Sequence, residues 1–127
     1  MGFISVIAAG AAAWVFGAVW YMSLAKPWMA ANNLKEEDMN RSDPLPYIVS
    51  FVMAILVAGM MRHMFGMAGI EAPGKSLLAG LGLGAFVALP WMVNNIMYSN
   101  RSKSLIWLDG GYVVGGCAII GLVLALL

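Results

Sequence analysis

Residues 104–127 read SLIWLDGGYVVGGCAIIGLVLALL and carry a single charge, Asp109. A run of this length is what an α-helix needs to cross the roughly 30 Å hydrocarbon core of a bilayer. A charged side chain inside such a helix costs roughly 3 kcal/mol or more, so it normally faces a protein interior or a wet cavity and has a partner. The stretch therefore decides two things together. It requires a membrane-spanning fold, and it marks where polar chemistry sits within that fold.

Three more apolar runs lie upstream, at about 3–25, 46–65 and 76–98. None shows strand-like alternation. Backbone groups cannot go unpaired in lipid, so four helices are expected rather than barrel strands. Composition agrees: 62% of the 127 residues are hydrophobic, 10% are charged, and mean hydropathy is +0.86. A water-soluble domain is usually about half apolar and about a quarter charged. The expectation is an all-α, four-transmembrane-helix bundle forming one domain over residues 1–127. The net charge of +1 excludes a basic nucleic-acid surface. Cys117, the only cysteine, excludes an intrachain disulfide and a thiolate metal cluster, and its apolar surroundings make it a packing residue. No Lys or Arg precedes the first run, and that run exceeds a signal-peptide core, so it reads as a retained span.

The loops are unequal. Lys26 to Asp43 holds Lys35, Glu36, Glu37, Asp38 and Arg41. Asn33 followed by Glu36 makes a capping-box pattern that predicts a short interfacial helix starting near Leu34. Ser42-Asp43-Pro44 reads as a cap for the second span, and Ala72-Pro73-Gly74 as a turn before the third. The very short 99–103 loop makes spans three and four a tight hairpin. Lys26, Lys35, Arg41, Arg101 and Lys103 lie on one side of the membrane, Arg62 and Lys75 on the other. The positive-inside rule then puts loops 26–43 and 99–103 in the cytoplasm and both termini outside.

Small residues recur at helical spacing in every span: Ala9, Ala13 and Gly17; Ser50, Ala54 and Ala58; Ser76, Gly80, Gly84 and Ala88; Gly111 and Gly115. Such rows let helix backbones approach, which matters in lipid, where packing and interhelical hydrogen bonds must drive association. They predict a compact bundle, with surplus rows available for a homo-oligomer.

Depth locates partners for Asp109. Counted from the hairpin turn, Asn94 and Asn95 match it, with Tyr98 and Tyr112 a turn to either side. Counted from the first loop, Trp20 and Tyr21 on span one and Ser50 on span two reach the same plane. Arg101 and Lys103 are long enough to snorkel toward the carboxylate. Pro90 removes a backbone bond and predicts a kink just before the asparagines. Two readings stay open: a structural lock, or a site for a ligand, ion or proton. Met60, His63, Met64 and Met67 share a face and would suit a soft cation, but methionine is scattered through the chain and is ordinary core material, so no metal or cofactor is expected. HExxH, GxSxG and phosphate-loop motifs are missing, and no span pairs two carboxylates, which leans away from an enzyme.

Gly17-Ala18-Val19-Trp20-Tyr21, followed by Lys26, Trp28 and the acidic segment 34–38, resembles the start of domain-of-unknown-function family 1761. Asn94-Asn95 with Tyr98, then Asp109-Gly110-Gly111-Tyr112, resembles its C-terminal hairpin. The resemblance implies a small bacterial four-helix integral membrane protein and contributes no reaction. The functional expectation is a multi-pass inner-membrane protein that binds or passes a small ligand or ion around Asp109. Asn94, Asn95, Tyr98, Trp20, Tyr21, Ser50 and Tyr112 would contribute, and the expected partners are the lipid bilayer and further copies of the chain. The alternative is an accessory or assembly subunit of a larger membrane complex; a lipid-modifying enzyme is a weaker third.

Overall fold

The computed structural model describes residues 2–39 and 41–127. Its helices are α1 (Gly2–Ser23), α2 (Ala25–Ala31), α3 (Leu45–Ala68), α4 (Pro73–Leu83), α5 (Leu89–Tyr98) and α6 (Ser104–Leu126). A π-helical turn, Gly84–Ala88, joins α4 to α5, so these form one span over Pro73–Tyr98. Four helical stretches are thus long and apolar enough to cross a membrane. No strand occurs among the described residues.

The ends follow from particular residues. Pro27 has no N–H for the carbonyl of Ser23, and α1 stops at Ser23. The chain restarts at once as α2, whose Trp28 and Ala31 pack against Leu105 and Leu108 at the start of α6. The short helix between the first two long ones is therefore α2. The capping-box expectation at Leu34 is not met, because Asn33 takes the left-handed conformation (φ 56°) and ends a helix rather than capping one. Only a 3-10 turn follows, Glu36–Asp38, closed by the Lys35 amide donating to the Asp38 carboxylate at 2.9 Å. Asp43 does cap the next helix, accepting from the Leu45 amide at 3.0 Å. Gly69, at φ 70°, ends α3, and the Ile70 amide reaches back to the Phe65 carbonyl at 2.9 Å.

α6 is the hub. It packs along α4 on one side and α1 on the other; α3 packs along α1 and also touches α6. The sequence-adjacent α3 and α4 diverge around an apolar groove lined by Met64, Phe65, Ala79, Gly82 and Leu83. Against α4, α6 uses small residues. A Cβ added at Gly80 or Gly121 would collide with the carbonyl oxygen of Cys117 or Ser76, and one at Gly84 would come within 2.8 Å of Val114 Cα. Ser76 Oγ donates to the Gly121 carbonyl across this contact. The α1–α3 contact is held by Trp14 Nε1 donating to Ser50 Oγ and the Tyr47 carbonyl, both at 3.1 Å, and by Arg62 Nε donating to Ser5 Oγ at 3.2 Å. One core cluster joins Val6, Ala9, Ala13, Ala58, Met61, Phe65 and Ile120; a second, near the short hairpin loop, joins Ile96, Leu105 and Leu108. Met61 is buried while Met60, His63 and Met67 face outward, so the methionines divide between core and surface.

Candidate functional site

The last turn of α1 and the second turn of α6 meet around Asp109. Trp20 and Tyr21 come from α1, and Asp109, Gly111 and Tyr112 from α6. The Tyr21 hydroxyl donates to Asp109 Oδ1 at 2.7 Å. The Trp20 indole donates to the Leu108 carbonyl, also at 2.7 Å. Two adjacent residues of one helix thus hold two adjacent residues of the other.

Glycines make the approach possible in both directions. The Trp20 ring occupies the space that a Cβ on Gly111 would fill. The Phe16 ring does the same at Gly115, where a Cβ would lie 2.7 Å from Cζ. In return the Tyr112 ring fills the gap at Gly17, where a Cβ would lie 2.5 Å from Cε1. Rings on one helix seated over glycines on the other form a ladder along the α1–α6 contact. Aromatic contacts extend outward from Tyr21, the partner of the carboxylate: Tyr21 and Tyr112 centroids are 5.4 Å apart, Tyr21 and Trp28 6.3 Å, and Phe16 and Tyr112 6.3 Å. Asp109 itself is half-buried. No Lys, Arg or His nitrogen among the described residues comes within 4 Å of its carboxylate.

Four residues expected at this plane lie elsewhere. Ser50 meets Trp14, well along α1 from Trp20 and Tyr21. Depth counted from the first loop misplaces it because α2 and the 3-10 turn intervene, and α3 sits offset along α1. Arg101 does not reach Asp109 either; its Nη2 donates to Asn32 Oδ1 at 2.9 Å. Asn94, Asn95 and Tyr98 point away from the bundle and line a shallow surface groove with Trp91 and Ser99.

The π turn explains the asparagines. Ser76, Gly80 and Gly84 face α6 at four-residue spacing. An uninterrupted α-helix would bring residues 91, 95 and 98 round to that face. The π turn inserts one extra residue, with the Leu89 amide donating to the Gly84 carbonyl, and so rotates everything after it by about 100°. Leu89 and Met92 instead pack over Gly110, and Ile96 packs against Leu105 and Leu108. The kink expected from Pro90 takes this form: the wide turn falls just before the residue that cannot donate. Proline signals a disturbance in the ladder, but nothing in the sequence says that the disturbance shifts the register.

Gly17 was legible as a packing residue, but its pairing with Tyr112, and that of Trp20 with Gly111, were not. The available signal was a bulky ring three residues after a glycine on α1, matched by Gly111-Tyr112 on α6.

Fold and site together define a multi-pass, membrane-type helical bundle whose first and last spans are locked at one end by an aromatic–carboxylate cluster. The family described as Protein of unknown function (DUF1761) matches over residues 4–125, and the chain belongs to it. The Gly17-to-Tyr21 and Asp109-to-Tyr112 pieces that carry the resemblance are the two halves of this lock. No curated protein and no solved structure matches the chain.

Proposed function

We propose that the protein is a cation-binding bundle of the inner membrane, with Asp109 as the anionic ligand and Tyr21, Tyr112 and Trp20 as its walls. The carrying observation is a half-buried carboxylate whose one described hydrogen-bond partner is a neutral phenol. A membrane carboxylate without a counter-charge favours a cation or a proton beside it. Rings of tyrosine and tryptophan suit a small ammonium-type cation, which their faces attract. The charge bias of the loops supports an orientation with both termini outside and loops 26–43 and 99–103 in the cytoplasm, which puts this site toward the cytoplasmic face.

The test is ligand-linked stabilisation in detergent or nanodiscs. Sodium, potassium, ammonium and tetramethylammonium salts are titrated at constant ionic strength. One of them is expected to raise the melting temperature, as selective binding to the folded state must, and Asp109→Asn is expected to fold and lose that rise. No selective rise with any cation, or an equal rise in Asp109→Asn, overturns the proposal. A second reading, an accessory or assembly subunit, is favoured by one observation: the amide-bearing face of α5 that the bundle leaves outside.

A further inference from the structure

The outer face of α5 carries a seam. Val87, Trp91, Asn94 or Asn95, and Tyr98 follow one another at three- and four-residue steps, the spacing that brings side chains onto one stripe. All are exposed; Trp91 is 73% and Tyr98 91% accessible. The Trp91, Asn94, Asn95 and Tyr98 side chains make no hydrogen bond among the described residues. Elsewhere the exposed faces of the spans carry mainly apolar side chains. Tyr98 closes the span and suits the headgroup level. Trp91 lies seven residues, about 10 Å, deeper, where lipid tails offer its indole N–H no acceptor and the asparagine amides neither donor nor acceptor.

We infer that this stripe is a helix–helix interface with a second copy of the same chain, packed in parallel about a two-fold axis along the membrane normal. Three arguments select that occupant. Copies inserted with the same orientation present the same residue at the same depth, so each asparagine faces itself. An asparagine amide carries both donors and an acceptor, and is therefore self-complementary, as a two-fold interface requires. Trp91, a donor only, finds an acceptor in the partner's amide oxygens. The three-and-four spacing is also the seam spacing of paired helices, in which a single polar asparagine fixes register and copy number. An antiparallel pair would set the amides against the apolar first half of the span and leave them unsatisfied. The inference does not depend on the Asp109 reading, since the stripe and the carboxylate lie on different faces of the bundle.

The experiment places one cysteine at the seam. In a Cys117→Ala background, Asn94→Cys is oxidised in native membranes, alongside Leu56→Cys on the exposed face of α3 (60% accessible) as control. Asn94→Cys is expected to yield a disulfide-linked dimer about tenfold more abundantly than the control, the ratio that a tenfold-weaker encounter at an unrelated face implies. Native mass spectrometry of the unmodified chain from nanodiscs is expected to give the dimer mass. The double variant Asn94→Leu, Asn95→Leu is expected to weaken association by about tenfold, as loss of interhelical hydrogen bonds does, while the melting of the protomer holds. A monomer mass for the unmodified chain means the stripe meets lipid, and overturns the inference. So does a dimer in which position 94 crosslinks no better than position 56. A crosslink from position 94 to a different protein overturns it in favour of an assembly subunit.

Discussion

Tyr21 and Asp109 are eighty-eight positions apart and share one 2.7 Å hydrogen bond. Its removal separates a lock from a ligand site. Tyr21→Phe keeps the ring stacked and deletes only the donor, so it is expected to lower thermal stability by roughly 1–3 kcal/mol, the cost of leaving a buried acceptor unmet. Asp109→Asn retains an oxygen to accept from Tyr21 and is expected to melt near the parent, whereas Asp109→Ala leaves the hydroxyl unmatched and melts lower. Thermal unfolding in one detergent ranks the three, and equal melting for all would show that the bond contributes nothing to the fold. That Asp109 has a partner, and that Tyr21 lies at its depth, could be read from the cost of a charge in lipid and from counting residues. Which of several groups at that depth turns toward it could not. Depth is a coordinate along the helix, and the choice among Tyr21, Asn94 and Arg101 is one of azimuth.

At the scale of elements, the spans were legible because apolar length and flanking charge are properties of contiguous sequence. Their ends sharpened where one residue forbids continuation, as Pro27 does for α1 and the left-handed Gly69 for α3. The spatial order was not legible: nothing in the chain says that α6 is the hub or that α3 and α4 diverge. The small-residue rows were a sound guide to which faces touch, though not to what each receives. Gly84 meets backbone and Gly115 meets a phenylalanine ring. The two should therefore respond differently to a larger side chain. Gly84→Leu must separate α4 from α6 and is expected to cost more than the roughly 1–3 kcal/mol typical of overpacking. Gly115→Leu displaces a ring that can rotate away, and is expected to stay within that range. Melting curves of the two variants check the order, and a smaller loss at Gly84 would show that the α4–α6 contact yields easily.

The whole molecule presents a charge asymmetry between its loops, and its orientation can be tested directly. A reporter active only in the cytoplasm, fused after Leu127, is expected to stay silent, and the same reporter inserted in the 26–43 loop to be active; the reverse pattern would invert the topology. The π turn also acts at this scale, because it takes up one extra residue of its span. Deleting Val87 removes the extra residue, so Leu89 becomes the fourth residue after Gly84, and Leu89, Met92 and Ile96 keep facing α6; Asn94→Cys crosslinking is expected to persist in that variant. In genetic terms the extra residue of the turn is three nucleotides. Gaining or losing that codon is absorbed by the turn, wide or regular, while the residues on either side keep their neighbours, so the span can change length by one residue without any side chain being redesigned.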